Sequence, residues 1–279
     1  MSNNEYVIEA NDLICNYSDE KKSIKGVKLS ELKIPRVGIT VIFGRSGSGK
    51  STLLSLLSGT RKPTRLLESS RLSLNSPRDD KEFNLLKDNL SAKGRLGFVF
   101  QEPHLIKQIS AKSNAENASM FLSNESELIN VSSLYQDYDL EDVIEQRSDT
   151  LSGGQAQRVA IIRALAVNPD VLVCDEPTSS LDEKMGSLLL ESIQKWAHRE
   201  KKCVLLVTHN FGQAAKFGDY FIPVKDGELN TLSNGVPAYV GDRSVEEKLS
   251  ILESGQIPSR SNQFKALYSK SKTPKSQIQ

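Results

Sequence analysis

The chain has 279 residues, 38% of them hydrophobic, and its 36 Lys and Arg nearly cancel 35 Asp and Glu, for a net charge of +1. That composition excludes wholesale disorder and fits one large or two modest globular domains; it also gives no global electrostatic reason to expect a nucleic-acid partner. Cys15, Cys174 and Cys203 are odd in number and far apart, which excludes a disulfide framework or a C-x-x-C zinc site and points to buried thiols in a reducing compartment.

The N-terminal stretch has neither the basic nor the apolar segment of a secretory signal, and no apolar run approaches the ~20 residues that span a bilayer. Residues 5–43 predict short strands: Tyr6–Ile8, an alternating stretch Ile24–Leu32, and the apolar run Ile39–Phe43. This is the pattern of a small antiparallel portion leading into a buried central strand. Directly after it stand Gly44, Arg45, Ser46, Gly47, Ser48, Gly49, Lys50, Ser51 and Thr52, which fit the G-x-x-x-x-G-K-[ST] phosphate loop between a strand and a helix-forming run rich in Leu. Glycines let successive backbone N–H groups turn inward on a phosphate, and the following helix adds the partial positive charge of its N-terminus. Lys50 then reaches the terminal phosphates and Ser51 ligates magnesium. The loop signals nucleotide binding; alone it does not separate kinases, GTPases and transport ATPases.

Residues 61–93 are polar and read as surface hairpin and loop, with Arg71–Asn75 alternating like an exposed strand and Pro77–Asp80 like a turn. Arg95–Phe100 is the next buried strand and ends at Gln101. Residues 111–150 predict a helical insertion with a thin apolar face. Gln155–Val167 reads as a helix stopped by Asn168 and Pro169, and Val171–Cys174 as a continuous apolar strand of a sheet covered on both faces. Glu183–His198 is a further helix, with Ser180–Glu183 fitting a capping box. Cys203–Val207 is a buried strand ending at Thr208 and His209; Phe211–Phe217 is a short helix, and Tyr220–Val224 a strand closed by an Asp226-Gly227 turn. The alternation predicts an α/β fold: a P-loop NTPase core with a mostly parallel covered sheet, a small antiparallel β portion and a helical insertion. The predicted organisation is a nucleotide-binding domain over 1–232, with the insertion at about 103–167, and an extension over 233–279 comprising a short helix and a basic tail. From Gln256 onward that tail has five basic residues and no acidic ones, the composition of a solvated terminus or of a contact with anionic lipid headgroups.

Two further motifs carry chemistry. Asp175 and Glu176 close an apolar strand at the end where open α/β sheets hold ligands. Asp175 suits the magnesium side, since a small hard cation takes oxygen ligands, and Glu176 suits a general base or the group orienting an attacking water. Leu151, Ser152, Gly153, Gly154 and Gln155 open a helix with a second nest of backbone donors, able to hold a second phosphate face.

Together GRSGSGKST, Gln101, LSGGQ, VLVCDEPTSSLD and His209 resemble, in order and over about residues 5–232, the nucleotide-binding subunit of an ATP-binding cassette (ABC) transporter. The stretch GFVFQEPHL and the compact length look like the branch that drives lipoprotein release, macrolide export or cell-division complexes. The resemblance implies an ATPase using ATP and Mg2+, a head-to-tail homodimer or a pairing with a second ABC subunit, and an integral membrane permease as partner, on the cytoplasmic face of the membrane. It implies that Ser152, Gly153, Gly154 and Gln155 of one subunit close on the γ-phosphate held by Lys50 of the other. Gln101 then senses magnesium and the attacking water, His209 contacts the γ-phosphate, and an aromatic near the N-terminus, Tyr17 or else Tyr6, stacks on adenine. The competing reading is a non-transport ABC clamp acting on ribosomes or DNA; one cassette without coiled coils or zinc inserts argues against it.

Overall fold

A computed structural model describes residues 5–19, 22–87, 92, 94–122, 130–232 and 234–257; the basic tail beyond 257 lies outside them. The strands are β1 (Tyr6–Asp19), β2 (Lys22–Pro35), β3 (Gly38–Phe43), β4 (Arg65–Ser76), β5 (Lys81–Asn84), β6 (Leu96–Val99), β7 (Val171–Asp175), β8 (Cys203–Val207), β9 (Tyr220–Lys225), β10 (Glu228–Leu229) and β11 (Ala238–Tyr239). The helices are α1 (Lys50–Leu57), α2 (Ala111–Leu122), α3 (Val131–Asp137), α4 (Gly153–Leu165), α5 (Glu183–Arg199), α6 (Phe211–Phe217) and α7 (Val245–Ser254). The strands form one sheet in the order β5-β4-β1-β2-β10-β9-β3-β8-β7-β6, with β11 added on β9. From β9 to β6 every neighbouring pair is parallel, whereas β5, β4, β1 and β2 are antiparallel.

The central strands are apolar at successive positions because both faces are covered. On β3, Ile39, Val41 and Phe43 enter a core built with α4, α5 and α6, while Ile42 enters the opposite core with α1, β1 and β2. β7 divides in the same way, Leu172 and Cys174 against Val171 and Val173. Each fully buried aliphatic side chain contributes about 1.5–3 kcal/mol of transfer free energy, so β3, β7 and β8 form the best-anchored part of the molecule. Their common register fixes the site: Ile42 pairs with Val207, and Asp175 pairs with the same Val207 from the other side. The three strands therefore end level, and the loops that follow them share one edge.

Several local expectations are corrected. The antiparallel portion opens with two 14-residue strands, β1 and β2, rather than short ones. Leu72–Ser76 of β4 is buried rather than exposed, because Leu72 and Leu74 enter the core shared with α1, β1 and β2. Its turn is tied inward as well: Ser76 Oγ donates to Asp170 Oδ2 at 2.6 Å, and Asp170 also accepts from Lys202 Nζ at 3.1 Å. The α5 cap is Asp182, whose carboxylate accepts from Met185 N, in place of the expected Ser180 box. β11 and α7, beyond residue 233, pack on β9 and α6, and Ile251 and Leu252 join the core.

Candidate active site

The loop from Gly44 to Gly49 joins β3 to α1 and is built around backbone that a side chain would block. A Cβ on Gly44 would stand 2.1 Å from the carbonyl oxygen of Val224, and Gly49, with φ 105°, caps α1 without a side chain. No side chain caps the start of α1, the arrangement found at anion-binding helix starts. Ser48 is buried, and its Oγ has no protein hydrogen-bond partner among the described residues, an orphaned group of the kind a bound oxyanion satisfies. Lys50 Nζ lies along the loop, donating at 3.0 Å to the carbonyls of both Gly44 and Arg45. The Asp226-Gly227 turn braces the loop from behind: Gly227 N donates to Ser48 O at 2.9 Å. That contact escaped sequence reasoning, which found the turn but had no signal for what it touches.

The acidic pair reaches this loop through α1. Ser51 Oγ donates to Asp175 Oδ1 at 3.4 Å. Burial pushes the Asp175 carboxyl above its usual range; the Ser51 hydrogen bond opposes the shift, the Glu176 charge adds to it, and Lys50 opposes it. A hydroxyl and a carboxylate suit a hard cation that completes its shell with phosphate oxygens and water. No group of three or more His, Cys, Asp or Glu placed to hold a metal occurs among the described residues.

Glu176 is held in left-handed backbone, φ 49°, by its N–H to Val207 O. Strained conformations of this kind persist where surrounding structure imposes them, and they cluster at functional sites. The carboxylate faces His209 from the neighbouring strand end, Nδ1 to Oε2 3.0 Å. Behind them Thr178 Oγ1 donates to Gln213 Oε1 at 2.7 Å in a buried pair that sequence reasoning missed. Glu176, Ser179, His209 and Asn210 line an open groove of about 360 Å³.

The remaining predicted residues stand on other elements. Ser152 is the N-cap of α4, accepting from Gln155 N while the Gln155 side chain accepts from Ser152 N. Gly153 and Gly154 are therefore the first helical residues; the helix begins two positions earlier than predicted. α4 packs on α2 and β6, whereas α1 packs on β3, β8 and the antiparallel strands, so the two glycine-rich segments sit on different parts of the fold. Gln101 is exposed two residues past β6. Tyr17 pairs with Ile24 in the β1–β2 hairpin, and its side chain lies outside the described residues; Tyr6 is on β1 opposite Pro35.

Residues 27–179 match the family model described as ABC transporter. The chain belongs to the ABC transporter family. It is an ATP-binding, ATP-hydrolysing cassette of that family with the ABC ATPase fold. It is 33% identical to the uncharacterised ABC transporter ATP-binding protein MJ0796 of Methanocaldococcus jannaschii, over 80% of this chain and 95% of that one. Identity to the lipoprotein-releasing system ATP-binding protein LolD of Desulfotalea psychrophila is 31%, over 79% and 96%. Against the macrolide export ATP-binding/permease protein MacB of Bartonella henselae it is 35% over 71% of this cassette but only 29% of that chain. The dimeric post-hydrolysis structure of the MJ0796 cassette with ADP and Pi superimposes with a TM-score of 0.65 at 27% identity, covering 80% of this chain and 97% of that one. The relatives favour a transport-associated ATPase over a ribosome or DNA clamp.

Proposed function

We propose that this cassette hydrolyses ATP as one of a pair, with a second copy or a second cassette subunit, closed head to tail over two nucleotides to drive a separate membrane-embedded permease. The observation that carries the reading is the alignment of Lys50 and Ser51, Asp175, Glu176 and His209 along one edge of the parallel sheet. The loop amides and Lys50 bind the β- and γ-phosphates, Lys50 exchanging its carbonyl contacts for phosphate oxygens. Ser51 and Asp175 hold magnesium, with Gln101 sensing it; the ion neutralises phosphate charge when bound. Glu176 orients the attacking water and takes its proton, and His209 contacts the γ-phosphate while holding the Glu176 carboxylate in place.

Phosphoryl transfer is catalysed chiefly by positioning and charge neutralisation, so a site finished by Ser152, Gly153, Gly154 and Gln155 of another subunit fires only on closure. The separation of α4 from the phosphate loop supports that division. No described helix is long and apolar enough to cross a membrane, and the relatives named for lipoprotein release and macrolide export support a permease partner and a place on the cytoplasmic membrane face. Light scattering tests the closure: Glu176→Gln should bind ATP, lose turnover and double in mass with ATP. A variant that stays monomeric at saturating ATP overturns it.

A further inference from the structure

The helix that follows His209 is gripped at its far end by the C-terminal extension. α6 has seven residues, Phe211–Phe217, about 10 Å of helix, and a helix that short is marginal on its own in water. Its flank is apolar, with Ala214, Ala215 and Phe217 in the core. Apolar contact is non-directional, so it holds the helix against the sheet without fixing its place along the axis. Directed bonds stand at the two ends. At the start Asn210 is the N-cap, its Oδ1 accepting from Gln213 N at 3.0 Å and its own N–H donating to Thr208 Oγ1 at 3.1 Å, and His209 lies between Thr208 and Asn210. At the other end the Phe217 carbonyl accepts from Gln194 Nε2 of α5 at 3.0 Å, and the Gly218 carbonyl accepts from Lys248 Nζ of α7 at 2.9 Å. Gly218 is pressed onto the sheet: a Cβ there would stand 2.8 Å from Val41 Cγ2.

Lys248 is only 6% exposed. Burial pulls its ammonium below the usual lysine range, against the charges of Asp219 and Asp242. A buried ammonium is a costly means of attaching a helix, and a well-packed apolar side chain often attaches one as firmly; Ile251 and Leu252 of α7 already do so as part of the core. What the ammonium adds is direction. It sets positive charge on the C-terminal end of α6, where the helix dipole favours it, and it fixes one carbonyl in place. We propose that Lys248 is a positioning residue for ATP hydrolysis, which seats α6 along its axis and through it sets the place of His209 beside Glu176. The proposal rests on the reading that His209 contacts the γ-phosphate. It makes the extension past residue 233 part of the catalytic unit, although the residues that line the groove all lie between Glu176 and Gln213.

A double-substitution cycle on the full chain tests this, read as steady-state ATP hydrolysis at a temperature where every chain is folded. Lys248→Met keeps the apolar stem and removes the ammonium; it should lower kcat about tenfold, because small displacements of a catalytic group are felt in the rate, with KM for ATP within about twofold of the parent. Lys248→Arg retains a cation that can donate to the Gly218 carbonyl and should recover most of the loss. Ile251→Val thins the apolar face of α7 and leaves the ammonium in place; it should lower the melting temperature and keep the parent kcat. In a His209→Ala background, Lys248→Met should change kcat by less than about twofold, since a residue acting through His209 has nothing left to act on. Parent kcat in Lys248→Met overturns the positioning role. So does a loss of the same factor with and without His209, or an Ile251→Val chain that loses as much kcat as Lys248→Met. A His209→Ala chain with parent kcat overturns the reading of His209 itself, and the positioning role with it.

Discussion

His209 Nδ1 stands 3.0 Å from Glu176 Oε2, each at the end of a parallel strand and each beside the other only because β7 and β8 pair in register up to Asp175 and Val207. With the carboxylate ionised, Nδ1–H donates to it. Glu176 is a quarter exposed and His209 two-thirds exposed, so the pair lies on the surface of the groove and not in the core.

His209→Ala should therefore cost turnover without affinity. A fall in kcat of about a hundredfold or more is expected, with the ATP dissociation constant by calorimetry within about twofold of the parent. A chain with parent kcat would remove His209 from the site.

Lys50→Ala removes the loop's one buried cation. Loss of a charge-assisted hydrogen bond costs about 1.5–3 kcal/mol, or roughly tenfold to a hundredfold in affinity. Unchanged ATP titration would refute the assignment of the loop.

Gly44→Ala places a methyl group 2.1 Å from Val224 O and 2.8 Å from Ser48 Oγ. The clash pushes the loop off β9, and we expect about 1–3 kcal/mol of destabilisation together with weakened nucleotide binding. Chemical denaturation and ATP titration read the two effects separately, and a chain with parent values in both would show that the loop does not depend on this approach.

Thr178→Val keeps shape and deletes the donor to Gln213 Oε1. Both residues are buried, and an unpaired buried acceptor costs about 1–3 kcal/mol. Thr178→Ser should restore most of the loss in urea denaturation. Equal stability of all three chains would assign the pair no structural weight.

His198 shares a 3.0 Å bond with the buried Asp219, which also accepts from Ile39 N at 2.8 Å. The Asp219 hydrogen bond raises the histidine's pKa, against the opposing effect of burial. Because the folded value lies above the unfolded one, the stabilisation is complete below about pH 6.5 and is lost as pH rises through the raised value. The melting-temperature advantage of the parent over His198→Gln should shrink from about pH 5.5 to 8.5; an advantage that grows with pH reverses the sign and rejects the pairing.

The sequence by itself determined the family and most of the elements. Gly44–Thr52, Leu151–Gln155 and the acidic pair after Val171–Cys174 carry their meaning in residue type and local spacing, because a phosphate cradle and an oxygen-ligand pair are short-range requirements. Cys203–Val207 and Phe211–Phe217 were legible to the residue, since their boundaries are set by local apolar runs and caps. Tertiary structure alone decided what those pieces touch. The burial of Leu72–Ser76, the insertion of β8 between β3 and β7, the Gly227 brace on Ser48 and the tie of Lys248 to the Gly218 carbonyl all join residues far apart in the chain. Such contacts depend on strand order and register, which short-range pattern does not encode, and on which of several equally polar side chains the folded backbone brings within 3 Å of a carbonyl.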